Sequence, residues 1–319
     1  MSNLEADPAE TVCPASEDGG PAALSLPSRE VPLGGVRGTS VRRSLPHRDI
    51  PTVGAWCFLD HFGPTDHPMD ILPHPHTGLQ TVTWPLSGRL RHRDSLGSDV
   101  VVRPGELNLM TSGAGVSHSE FTSDLADPAD APLDGLQLWV ALPEDVRHGS
   151  AAFEHHEDLP VLERGSSRAT VLVGSLEDQV SPAEVHSPLV GAEITLRPGD
   201  GALELERSFE YAVQVIDGRA DVNGEALAPD TLLFLGSGRA GLDLRTEAGA
   251  RLLLLGGVPF EEELVMWWNF IGRSHAEVEQ ARTQWEASAD RFGSVAGHAG
   301  ARIPAPPLPN VRLTPRRRR

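Results

Sequence analysis

Residues 72–121 read LPHPHTGLQTVTWPLSGRLRHRDSLGSDVVVRPGELNLMTSGAGVSHSEF, and the alternation in this stretch decides the fold. Short runs of alternating apolar and polar residues at 79–86, 89–93, 99–102 and 107–111 are cut by Ser-Gly, Leu-Gly-Ser and Pro-Gly turns, the signature of β-strands joined by tight connections. Two pairs share one spacing, His74-x-His76 and His118-x-Glu120. Residues two apart on a strand project from the same face, so each pair offers two metal-capable groups to one side. Three imidazoles and one carboxylate are therefore candidates for a single cation.

Working outward, the segment PGELNLMTSG at 104–113 is matched without a gap by PDTLLFLGSG at 229–238, and LSGR at 86–89 by IDGR at 216–219. The chain reads as two copies of one β-domain. Counted from the shared glycines, the positions of His74, His76, His118 and Glu120 fall on Glu204, Glu206, Asp243 and Arg245 in the second copy. No histidine survives there, and an arginine cannot ligate a cation, so only the first copy is expected to hold metal.

The rest of the chain sets bounds. A length of 319 residues suits two domains, and 32 Gly and 27 Pro suit many turns and short strands, an all-β class. The net charge of −18 argues against direct nucleic-acid binding, which needs a positive surface to displace counterions. Arg316 to Arg319 form a short basic end to which no function is given. Two cysteines, Cys13 and Cys57, make no disulfide framework and fit a reducing compartment. Without a leader-like N-terminus or a long apolar run, a cytoplasmic protein with no membrane contact is expected.

In order along the chain, 1–29 is expected to be disordered, 30–143 to form the metal-binding barrel and 144–168 a solvated linker containing His155 and His156. Residues 169–258 should form the second barrel, and 259–319 a helix with a Pro/Arg-rich tail. The helix should start at Ser274, with Glu277 three residues on, and run to about Phe292. His92 stands alone in its segment and is expected at the surface or behind the ligands rather than among them.

The motif HPHTGLQTVTW, then SGRLRHRDSLGS, RPGELNLMTSGAGVSHSE, LDGLQLWVALP and WWNFIGR closely resembles the pirin family of bicupins. The resemblance implies two cupin-type antiparallel β-barrels in one chain. It also implies a single metal, usually iron, bound by His74, His76, His118 and Glu120 in the first. One departure is Gln80, where many members carry Glu. Because His74, His76, Gly78 and Gln80 share one parity, Gln80 is expected to face inward as a neutral hydrogen-bonding group behind the ligands.

Such ligands suit divalent Fe, Mn, Co, Ni or Zn, and the resemblance favours Fe(II). Two classes of function follow from it. One is a metal-dependent dioxygenase of the quercetin 2,3-dioxygenase type, using dioxygen to open a flavonol or related enolic aromatic, with Glu120 as the proton acceptor. The other is a non-catalytic, iron-containing, redox-sensing regulator that offers its surface to a protein partner.

Overall fold

A computed structural model describes residues 3, 5, 7–13, 20–32, 40–65, 67–125 and 131–309. The basic end at Arg316 to Arg319 lies outside them. The described residues form antiparallel strands with one α-helix, as an all-β bicupin requires. In the first barrel a seven-stranded sheet, whose central strands are Leu79–Ser87, Leu133–Ala141 and Trp56–Thr65, faces a four-stranded sheet of Ile71–His76, Val116–Phe121, Leu90–Asp94 and Asp99–Val102. The second barrel repeats this plan. A large sheet centred on Leu189–Leu196, Ala250–Gly257 and Glu210–Gly218 faces a four-stranded sheet that contains Gly199–Glu204 and Gly241–Thr246.

The barrels share a core instead of meeting at a thin contact. One apolar cluster joins Leu59, Val82, Trp84 and Leu138 of the first to Leu172, Ala212, Leu253 and Leu255 of the second. The Trp56 indole N–H reaches the carbonyls of Val190 and Gly256 at 3.1 and 3.2 Å. This close approach needs glycine, because a Cβ on Gly191 would stand 2.7 Å from the Trp56 ring. Trp84 donates to the Glu193 carboxylate, which Arg251 holds through Nε at 2.7 Å and Nη2 at 3.0 Å.

Three segments differ from expectation. Within the stretch 1–29, Pro21–Pro27 is a strand that pairs with Thr231–Gly236 and extends the large sheet of the second barrel, while Thr11–Cys13 pairs with Leu264–Trp267. The stretch PAALSLP buries only Leu26, so it has no alternation to read; its order comes from an open strand edge in the partner sheet. The supposed linker 144–168 is likewise paired. Ala152–His156 adds to Leu107–Thr111 in the first barrel, and Val161–Arg164 to Ser167–Leu176 in the second.

The helix His275–Glu286 begins as expected, with the Ser274 hydroxyl accepting from the Glu277 amide. It stops at Glu286, short of Phe292; Ser288 then takes a positive φ of 55° and a 3-10 turn covers Asp290–Phe292. Beyond it, the chain crosses the outer face of the small metal-side sheet. There the Ser117 hydroxyl donates to the Phe292 carbonyl, Ser119 meets His298, and the Ile303 amide donates to the Pro73 carbonyl, all at 2.8 Å. The strands that carry the histidines are thus covered on both sides.

Candidate metal centre

Strand register sets the site. In the small sheet His118 stands directly opposite His74, and Val116 opposite His76, so the three imidazoles share the inward face. Their ligand atoms all lie within 4.8 Å of one another, and all three side chains are buried. A register shift after His118 brings Glu120 opposite Ile71 on one side and His92 on the other. Glu120 keeps the inward face and is buried, yet it stands outside the 4.8 Å set.

Hydrogen bonds assign the protons. His74 Nδ1 lies 2.9 Å from the Leu72 carbonyl, which can only accept, so that nitrogen carries the proton and Nε2 is bare. On the other strand, Asp94 accepts from His92 Nε2 at 3.2 Å, which leaves His92 Nδ1 to accept from His118 Nδ1 at 3.3 Å. His118 then also turns a bare Nε2 inward. Its Nε2 lies 3.1 Å from that of His76, the spacing of two nitrogens that share one metal through bonds of about 2.1 Å.

Electrostatics support the same state. Burial is the largest influence on all three rings and pushes His74 down to about 4, although the nearby Glu120 carboxylate partly offsets it. His76 and His118 are held well below the ordinary histidine value by burial, and then by the neighbouring imidazoles. At neutral pH all three are uncharged, the form that binds metal. For Asp94 burial alone would raise the carboxyl, but the bonds from His92 and Ser98 outweigh it and keep it ionised.

His92 stands behind the ligands, one of the two places expected for it, and Asp94 is the partner that reading one histidine at a time misses. They repeat the i, i+2 spacing of the ligand pairs on an adjacent strand, and that was the available signal. Gln80 corrects the opposite way. Gly78, at φ 72°, breaks the strand between His76 and Leu79, so parity does not carry across it. Gln80 instead shares a face with Val82 and Trp84 toward the second barrel, where its amide donates to the Thr111 hydroxyl and the Glu184 carbonyl, both at 2.9 Å.

In the second barrel the positions picked by offset, Glu204, Glu206, Asp243 and Arg245, are all exposed. Asp243 and Arg245 border an open depression of about 590 Å³ on the outside of the sheet. Leu203 and Leu242, paired directly, point inward with Leu205 and Leu244 and fill the place of the histidines with apolar side chains. The count was one residue out of phase, and leucine offers no ligand atom. Elsewhere among the described residues, Glu106, His155 and Glu157 form a second group of metal-capable side chains, with Glu157 in solvent and His155 bonded to Asn108 at 2.7 Å.

Two family profiles match this chain: Pirin over residues 38–140 and the Pirin C-terminal cupin domain over 191–293. The chain belongs to the pirin family. Among pirin relatives, a Pseudomonas aeruginosa protein named "Putative quercetin 2,3-dioxygenase PA1205" is 43% identical over 287 residues, covering 88% of this chain and 89% of that protein. A pirin-like protein of Caulobacter vibrioides is 35% identical over 256 residues, 77% of this chain and 88% of its own. The crystal structure of a quercetin 2,3-dioxygenase from Acinetobacter baumannii superposes with a TM-score of 0.85 at 40% identity, covering 91% of this chain and 97% of that one. The buried, neutral histidine set of this pirin suits one divalent metal ion, with Glu120 beside it.

Proposed function

We propose that this pirin is a metal-dependent dioxygenase that opens the ring of a flavonol or related enolic aromatic, taking up dioxygen and releasing carbon monoxide. The observation that carries this reading is the convergence of His74, His76 and His118 in a barrel that also buries a carboxylate on the same face. Relatives named for quercetin 2,3-dioxygenase activity, at 40% and 43% identity, support the choice of chemistry. A divalent metal held by the three histidines, Fe(II) before Mn, Co, Ni or Zn, supplies Lewis acidity toward an enolic oxygen and, as iron, redox chemistry with dioxygen.

The chain's own groups do the rest. Glu120 takes the proton of the enolic hydroxyl, being the carboxylate next to the imidazoles on their face. The Asp94–His92 pair fixes the tautomer and ring orientation of His118. Trp139 sets its edge against His76 at 5.4 Å and its face against Phe58 at 4.0 Å, walling the site with apolar surface that excludes water. Iron-loaded protein should consume dioxygen and deplete a flavonol under air. A preparation that holds iron yet does neither sinks the proposal.

A further inference from the structure

Trp139 also lines a small cavity of about 60 Å³ whose chemistry the dioxygenase reading does not use. Its walls include Phe58, Trp139, Trp267 and Trp268, together with the two guanidinium groups of Arg29 and Arg43. These arginines are directly opposed across an antiparallel strand pair, where like charges repel. Asp60 binds Arg43 through Nε at 2.7 Å and Nη2 at 2.8 Å. The remaining side of that guanidinium, Nη1, is taken at 2.8 Å by Glu5, which arrives from the N-terminal segment. Arg29 has no hydrogen bond or ion pair among the described residues. The indole N–H groups of Trp139 and Trp267, in side chains only 1% exposed, also lack an acceptor among them.

The charged groups at this cavity are therefore two guanidiniums and two carboxylates. Two positive charges stand against Asp60 and Glu5, so the cavity is neutral with Glu5 in place and carries +1 without it. Glu5 is also the more exposed of the two carboxylates on Arg43. Its carboxylate is 24% exposed, against 3% for Arg43 and 0% for Asp60, and its segment is fastened nearby by the bond from the Asn3 amide to Asn269.

We infer that this cavity is a binding subsite for an aromatic monocarboxylate, with Glu5 as a built-in stand-in for the ligand's carboxylate. The incoming oxyanion takes the place of Glu5 on Arg43, with Arg29 beside it. The ring fills the space vacated by the Glu5 side chain against Trp267 and Trp268. The site is independent of the dioxygenase reading, since binding is measured without turnover.

Isothermal titration of the full-length metal-loaded protein with benzoate tests it, using benzyl alcohol as the neutral analogue and acetate as the ringless one. Glu5→Gln, which leaves the segment in place and removes its charge, should tighten benzoate binding at least tenfold over wild type. Adding Arg29→Gln, at an exposed residue where folding is not at stake, should reverse most of that gain. Benzyl alcohol and acetate should bind far more weakly than benzoate. Equal benzoate affinity in wild type and Glu5→Gln overturns the inference. So does an unchanged affinity on adding Arg29→Gln, or either analogue binding as tightly as benzoate.

Discussion

His118 is held at both ring nitrogens: Nδ1 against His92, which Asp94 anchors, and Nε2 toward His76. Removing a nitrogen and removing its support should therefore act differently. His76→Ala should abolish stoichiometric metal binding, measured by metal analysis of purified protein. Asp94→Asn should leave the ligands in place but weaken affinity by roughly 10- to 100-fold in a competition titration, the usual effect of losing an outer hydrogen-bonding partner. Glu120→Gln should keep the metal and lose oxygen uptake; if metal is lost as well, Glu120 is a ligand first. The histidines also set a pH window. His74 falls from its ordinary 6.5 to about 4 on folding, so between those values the unfolded chain takes a proton that the folded chain refuses. Its contribution to stability is complete above pH 6.5 and is lost as pH falls toward about 4, on the order of 3 kcal/mol over the window. Urea unfolding of metal-free protein at pH 7 and pH 5 should show lower stability at pH 5; equal values would contradict it.

Between the strands Ile71–His76 and Leu79–Ser87, one residue decides which side chains face the metal. Gly78 has φ 72°, and a Cβ there would lie 2.4 Å from the Ile271 carbonyl. Gly78→Ala meets both backbone strain and a clash, so a loss of about 1–3 kcal/mol is expected in chemical denaturation, with weaker metal binding because His76 lies two residues away. The same turn explains why alternation located His74 and His76 correctly and misplaced Gln80. Alternation is a property of one continuous strand, and it restarts after a left-handed residue. Along the strand Val116–Phe121, the register shifts after His118 against Ile71–His76 but stays regular against Leu90–Asp94, so His118 and Glu120 keep one face and spacing alone made it legible.

Across the whole molecule, the shared apolar core and the Trp84–Glu193–Arg251 contact tie the two barrels into one unit. Unfolding should accordingly be a single transition, with tryptophan fluorescence and far-ultraviolet circular dichroism coincident in urea; two separated transitions would show barrels that fold independently. Glu193→Ala leaves the Trp84 indole and the partly exposed Arg251 without their carboxylate. It should cost about 2 kcal/mol, with less effect at the metal than any change in the first barrel.

Much was already determined by the amino-acid order: the duplicated β-unit, the i, i+2 pairs of metal-capable residues and a second copy that carries no histidines at the matching positions. These depend on local alternation and on residue identity, which a strand expresses wherever it lies. Tertiary structure alone decided that Pro21–Pro27 completes the second barrel, that Ala152–His156 belongs to the first, and that Asp94 anchors His92 against His118. Each of those outcomes rests on pairing between segments far apart in the chain. Such pairing is settled by which strand edges remain open once the barrels close, and a weakly patterned stretch such as PAALSLP carries no local trace of it.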